Sequence, residues 1–251
     1  MSTHDKTAIV TGAGTGIGKG VATALLNEGY RVAFAGRRKE PLEQAIAAAG
    51  ASAKNAIAVP TDVSDPASVR ALFARTKETF GRLDLLFNNA GVGAPGVNLE
   101  DLSFEQWKTV VDINLTGAFL FAQAAGRDML KRQWGRIINT ASIAGMHASV
   151  HGPHYAPYAA TKAGLIGLTR ELAVSWARQG IRVNAIAPGF FHSRLADGAI
   201  ATNEASIKAS SPIPRVGNAG ELKGVAVFLA ADASNYITGQ TIIVDGGRTI
   251  A

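Results

Sequence analysis

Short apolar runs at residues 7–11, 31–36, 56–60, 83–88, 136–141, 182–187 and 241–244 alternate along this chain with longer helical patterns. The helical stretches are 17–27, 40–49, 66–80, 104–132, 155–178 and 220–230. Most of the short runs are apolar throughout rather than at every second position, the pattern of strands covered on both faces. Parallel strands need a crossover between them, usually a helix. The βαβα order therefore predicts an α/β fold: a doubly wound parallel sheet of seven strands flanked by helices, in three layers. The 251 residues suit one domain spanning 1–251, with no linker-like or repetitive stretch. Residues 190–216 break the rhythm with a turn-rich Ser-Ser-Pro-Ile-Pro, and both a lid over a substrate pocket and a plain surface excursion fit that pattern.

The first strand-to-helix turn reads Thr11-Gly12-Ala13-Gly14-Thr15-Gly16-Ile17-Gly18. Glycines let such a turn close tightly and bring backbone N–H groups up to a pyrophosphate at a helix N-terminus. A turn rich in glycine for packing alone is the other reading, but its place after the first strand predicts a Rossmann-type dinucleotide site. The end of the second strand indicates which dinucleotide. A site for NAD usually has an acidic side chain there, on the adenosine ribose 2′-OH. Here Gly36-Arg37-Arg38 offers two guanidinium groups for a 2′-phosphate, so NADP(H) is expected over NAD(H), two ordinary surface arginines being the alternative.

Tyr158-Ala-Ala-Thr-Lys162 puts a phenol and an ammonium on one helix face. A nearby cation favours phenolate, pulling a tyrosine down from its usual pKa of about 10. Such a phenol can give a proton to a carbonyl oxygen or take one from an alcohol. With no cysteine in the chain, disulfides, thiolate metal sites and thiol nucleophiles are excluded. The formal charge of +6 is spread along the sequence, Arg37-Arg38-Lys39 being the one run of three, so no nucleic-acid partner is expected. No run of 18 or more apolar residues and no basic-then-apolar leader is present, which predicts neither membrane span nor export, and a cytoplasmic location.

In order and spacing, these motifs resemble the short-chain dehydrogenase/reductase family, in its single-domain branch, over essentially the whole chain. Thr11 to Gly18 matches that family's phosphate loop, in which Gly12, Thr15, Gly16, Ile17 and Gly18 meet the cofactor. Asp62-Val63 resembles the pair at the adenine, and Asn88-Asn89-Ala90-Gly91 the motif that lines the cofactor groove. Pro188-Gly189 resembles the nicotinamide-side turn, followed by Phe191 and by Ser193 where the family usually has Thr. Ile237-Thr238-Gly239-Gln240 and Val244-Asp245-Gly246-Gly247 resemble its closing strand.

Asn114, Ser142, Tyr158 and Lys162 stand where the family keeps its catalytic tetrad. The resemblance implies that Tyr158 is the acid in carbonyl reduction and the base in alcohol oxidation. Lys162 would lower the Tyr158 pKa and bind the nicotinamide ribose, Ser142 would hold the substrate oxygen, and Asn114 would hold a water linking Lys162 to solvent. It also implies a homotetramer of 222 symmetry, paired through the apolar helices 104–132 and 155–178.

Two departures bear on the pocket. Ser142 and Tyr158 are sixteen positions apart where thirteen is commoner, the extra residues falling near His147-Ala-Ser-Val-His151-Gly-Pro-His154. His151 and His154 are candidates for substrate contact, exposed loop residues being the alternative; a metal site is not expected, because no carboxylate accompanies the histidines. Tyr155 lies seven residues before Lys162, the spacing of the family's enoyl reductases, but the tight glycine turn and Asn-Asn-Ala-Gly favour Tyr158 and leave Tyr155 as a pocket wall. With Ser142, Phe190 and His192, these residues outline a pocket part apolar and part hydrogen-bonding. The sequence resembles 3-oxoacyl-carrier-protein reductases and gluconate 5-dehydrogenases alike, so the small-molecule substrate is set only as a secondary alcohol/carbonyl pair. A redox sensor that binds the dinucleotide without turnover is the alternative of another class, against which the intact tetrad argues; an epimerase would usually carry a further C-terminal domain.

Overall fold

A computed structural model describes residues 6–93, 96–148, 155–218 and 220–251. Its elements run β1 (Thr7–Thr11), α1 (Gly16–Asn27), β2 (Arg31–Gly36), α2 (Lys39–Ala47), β3 (Ala56–Pro60), α3 (Pro66–Phe80), β4 (Leu85–Asn88), α4 (Phe104–Val111) and α5 (Gly117–Arg132). They continue with β5 (Gly135–Thr140), α6 (Ala156–Trp176), β6 (Ile181–Pro188), α7 (Asp197–Ala209), α8 (Glu221–Ala230) and β7 (Thr241–Val244). The strands form one seven-stranded sheet of order β3-β2-β1-β4-β5-β6-β7, parallel at every pairing. Helices cover both faces, so the sheet is the middle of three layers.

The helix ends follow their capping chemistry. Asp65 accepts from the Ala67 and Ser68 N–H groups at 2.9 and 3.1 Å to start α3, with Pro66 following, and Gly81 ends that helix in the left-handed region. Ser103 and Gln106 form a reciprocal capping box at the start of α4. Leu25 of α1, Leu42 of α2 and Leu229 of α8 pack on Val10 and Phe34 at one sheet face. Leu72 of α3 and Phe121 and Met129 of α5 pack on Ile9, Leu86 and Ile137 at the other.

Two predicted features come out differently. The single helix expected over 104–132 is α4 and α5 joined by a π-turn at Asp112–Thr116, where the chain carries one more residue per turn than an α-helix. The interruption leaves the apolar periodicity on either side intact, so the pattern reads as continuous. The irregular stretch expected over 190–216 contains α7, whose apolar side is anchored by Ile200 and Ile207, seven positions apart. Two residues are a weak stripe, overshadowed in sequence by the prolines that follow.

The strand order reverses between β1 and β4, and an open α/β sheet offers its crevice outside the carboxyl ends of the strands at that point. Thr11 at the end of β1 and Asn88 at the end of β4 place the glycine turn and the Asn-Asn-Ala-Gly segment there, side by side.

Candidate active site

The carboxyl edge of the sheet opens on a cleft of about 550 Å³. The Thr11 hydroxyl accepts from the Asn89 and Ala90 N–H groups at 2.8 and 2.9 Å, and the Asn89 amide donates to the Thr11 carbonyl at 3.1 Å. These bonds seal the floor between β1 and β4. Gly12 has φ +66°, a conformation L side chains rarely take, and Gly12, Thr15, Gly16, Ile17, Asn89, Ala90 and Gly91 all line the cleft. Gly18 does not. It sits behind the turn, where a Cβ would stand 2.3 Å from the Gly12 carbonyl oxygen, so its expected cofactor contact is replaced by a packing role.

At one end of the cleft lie Arg37, Arg38, Asp62 and Val63. Asp62 Oδ1 accepts from the Ser64 N–H at 2.9 Å and hydroxyl at 2.6 Å, and these bonds, helped by Arg37, hold its carboxyl below the usual range. Both arginines are exposed, and neither forms an ion pair or side-chain hydrogen bond with another described residue.

Toward the other end lie Ser142, Tyr158, Lys162, Pro188, Gly189, Phe191 and Ser193. Ser142 ends the loop after β5 and accepts from the Ala144 N–H at 3.1 Å. Gly145 lets that loop press on α6, since a Cβ there would be 2.7 Å from the Lys162 carbonyl carbon and the Ala163 nitrogen. Lys162 Nζ donates to the Thr140 carbonyl at 2.6 Å and stands 5.5 Å from the Tyr158 ring centre. Burial brings the Lys162 ammonium down to about 8. Burial pushes the Tyr158 phenol up, and a hydrogen bond with Ser142 opposes it. The expected depression of Tyr158 by Lys162 is thus not seen: burial is the larger influence and Ser142 the one that opposes it, while the Lys162 ammonium is directed at the Thr140 carbonyl.

Asn114 lies on the π-turn, buried behind the cleft. Its Oδ1 accepts from the Val92 N–H at 2.8 Å, and its Nδ2 donates to the Val92 carbonyl at 2.9 Å and to the Thr161 hydroxyl at 3.3 Å. With both ends of the amide engaged, its side chain positions the Gly91–Gly93 segment and α6.

The anticipated substrate pocket is only partly assembled. Ser142 lines the cleft, while Tyr155, at the start of α6, does not. Phe190 turns away onto a smaller cavity of about 130 Å³ and stacks against Arg248. His192 is exposed and pairs with Asp197 at 3.1 Å. Adjacent Phe190 and Phe191 both line that smaller cavity, and of the two Phe191 also lines the cleft. His151 and His154 lie outside the described residues; among those described, no cluster of metal-ligating side chains occurs. Arg194 and Leu195 line the cleft without having been anticipated, their only sequence signal being that they follow Ser193.

The chain shares this arrangement with many proteins. A family model described as enoyl-(acyl carrier protein) reductase matches residues 12–249. A short-chain type dehydrogenase/reductase from Mycobacterium marinum superposes with a TM-score of 0.95 at 34% identity, over 100% of this chain and 98% of that one. The chain belongs to the short-chain dehydrogenase/reductase family. It is 40% identical over 244 residues to a 3-oxoacyl-(acyl-carrier-protein) reductase of Staphylococcus aureus, covering 96% of this chain and 97% of that protein. A gluconate 5-dehydrogenase from Burkholderia cenocepacia, solved with NADP and tartrate, superposes with a TM-score of 0.91 at 34% identity over the whole of both chains. As a family member this protein is an oxidoreductase acting on CH–OH groups and their carbonyls with NAD(P). No helix among the described residues is long and apolar enough to cross a membrane.

Proposed function

We propose that this protein is an NADP(H)-dependent oxidoreductase that interconverts a carbonyl and a secondary alcohol, with Tyr158 as the proton-transferring group. The observation that carries the reading is one continuous cleft with Arg37 and Arg38 at one end, Ser142, Tyr158 and Lys162 at the other, and a glycine floor between them. The floor suits the group: Gly12 and Gly16 line the cleft with φ of +66° and +53°, conformations that leave the turn's backbone open to a phosphate. When bound, the dinucleotide delivers a hydride to the carbonyl carbon, or receives one from the alcohol.

The remaining chemistry belongs to the chain. Ser142 donates to the carbonyl oxygen and fixes it beside the phenol. Tyr158, held protonated by burial, passes its proton to that oxygen, and the charge left on the phenolate is met by the Lys162 ammonium. In alcohol oxidation Tyr158 takes the proton back. Tyr158 is preferred to Tyr155 because only the former lines the cleft, which also favours carbonyl reduction over the enoyl reduction in the family model's description. The relatives named for 3-oxoacyl and gluconate chemistry support a substrate that carries a secondary alcohol or its ketone.

The Arg37→Ala/Arg38→Ala protein is expected to bind NADPH at least about 30-fold more weakly than wild type while changing NADH affinity little, because two charge-assisted contacts to the 2′-phosphate would be lost. Fluorescence titration of each nucleotide checks this; equal loss for both, or a wild-type preference for NADH, would sink the NADP reading.

The functional unit we propose is a single-domain homotetramer. Phe104 on α4, Phe119 on α5 and Val174 on α6 are 70%, 42% and 81% exposed, apolar surface on the helices expected to pair. Light scattering after gel filtration should give four times the 26.0 kDa chain mass; a monomer would rule the assembly out. The stretch 190–216, with α7, is proposed as the substrate lid.

A further inference from the structure

Between its two ends, the cleft floor carries no basic side chain on the Gly12–Gly18 turn, and Lys162 is engaged with the Thr140 carbonyl. The cation that lines the remaining stretch is Arg194. It lies in the turn after β6, is exposed, and has no hydrogen bond or ion pair with another described residue. Its neighbours fix where it stands. Ser193 Cβ is 3.1 Å from where a Cβ on Gly16 would be, and Leu195 Cδ1 is 3.1 Å from the same point on Gly93. The turn thus bears on the glycine loop on one side and on the segment after β4 on the other, with Arg194 between.

That turn is itself held. The Ala196 N–H donates to the Ser193 carbonyl at 2.9 Å, and the Ser193 N–H donates to Asp197 at 3.2 Å. Asp197, the acid nearest to Arg194 in sequence, also faces His192, and Glu204 of α7 is paired with Lys208 at 2.8 Å. The guanidinium is thus left without an ion-pair partner among the described residues, beside a loop built to approach phosphate.

We infer that Arg194 is a diphosphate clamp: its guanidinium binds the bridging pyrophosphate of the dinucleotide across Gly16 and thereby ties the base of α7 to the loaded cleft. The inference rests on the dinucleotide-binding reading above. It assigns a cofactor contact to the lid segment, and one that cannot distinguish NADP from NAD, because both carry the same diphosphate.

The test is equilibrium titration of wild-type and Arg194→Ala protein with NADPH, NADH and adenosine 2′-phosphate, the last lacking a pyrophosphate. Both dinucleotides should bind about tenfold more weakly to Arg194→Ala, with adenosine 2′-phosphate unaffected. Unchanged dinucleotide affinity would overturn the clamp; a raised KM for carboxylate-bearing substrates alongside it would assign Arg194 to an anionic substrate instead. Parallel loss of adenosine 2′-phosphate binding would also overturn it, by showing that the substitution disturbs the whole cleft. Wild-type protein that binds neither dinucleotide would remove the cofactor reading itself, an outcome distinct from wild-type binding that Arg194→Ala leaves intact.

Discussion

Tyr158→Phe is expected to lower carbonyl-reduction kcat by about 10³-fold with little change in NADPH affinity, since a positioned proton donor contributes about 10² to 10⁴. Tyr158 is half-buried and Phe keeps its ring in place, so the fold should not suffer. The pH dependence gives the same mechanism a second readout. Lys162 is brought down to about 8 by burial. Below that pH it is charged and stabilises the phenolate that proton donation creates; above it the charge is lost, and donation by a phenol already pushed up becomes harder. Reduction by wild type should therefore fall as pH rises through about 8, while alcohol oxidation, which needs the proton removed, should gain. A kcat/KM profile for reduction that stays flat from pH 7 to 9, or a Tyr158→Phe protein of near-normal kcat, would contradict the assignment.

Gly18→Ala is expected to carry a large structural penalty at the cofactor floor. The new methyl would stand 2.3 Å from the Gly12 carbonyl oxygen and 2.6 Å from the Asn89 amide. Gly12 cannot retreat easily, because it is in the left-handed region and the strand before it is locked in the sheet. Either α1 moves off the glycine turn or the Asn89–Thr11 bond opens, and both deform the cofactor floor. We expect a loss of about 3 kcal/mol of stability, the upper part of the usual overpacking range, with NADPH binding weakened more than tenfold. Gly224→Ala serves as the control. That glycine is inside α8 with nothing within 4 Å of its added Cβ, so the change should be neutral to stabilising, by up to about 1 kcal/mol. Urea denaturation of the two variants distinguishes them; equal stability would mean that the close approach at Gly18 is not restrictive.

The sheet was legible because its strands are covered on both faces. Val32–Ala35 and Ile9–Val10 are fully buried, and repeated short runs of that kind between helical patterns are the mark of a two-sided parallel sheet. The glycine turn and the arginine pair stood out for a related reason, their position at the ends of β1 and β2, and both line the cleft. The sequence was less informative where meaning depends on direction. Phe190 and Phe191 are identical letters that share the smaller cavity, and only the second also reaches the main cleft. Lys162 was read as acting on Tyr158, yet the acceptor that orients it, the Thr140 carbonyl, is a backbone atom and leaves no mark in the sequence. Arg194 is one exposed arginine among many until the turn holding it is seen to bear on Gly16. Asn114 was located correctly, but the two bonds that define its work go to the backbone of Val92, which no residue type announces.

The π-turn at Asp112–Thr116 has a bearing on how such a chain can change over time. It holds a residue that an uninterrupted α-helix of the same rise would not need. Deleting that residue would mend the helix at the cost of rotating one half against the other by about 100°. Asn114 would then swing off Val92, or Phe104 and its neighbours on α4 would present a new side to whatever they meet. Loops shed and gain residues with little consequence, but this helix can do neither without re-aiming α4 or disturbing the ordering of the cleft. A single residue in the π-turn thus fixes the phase of α4 against α5.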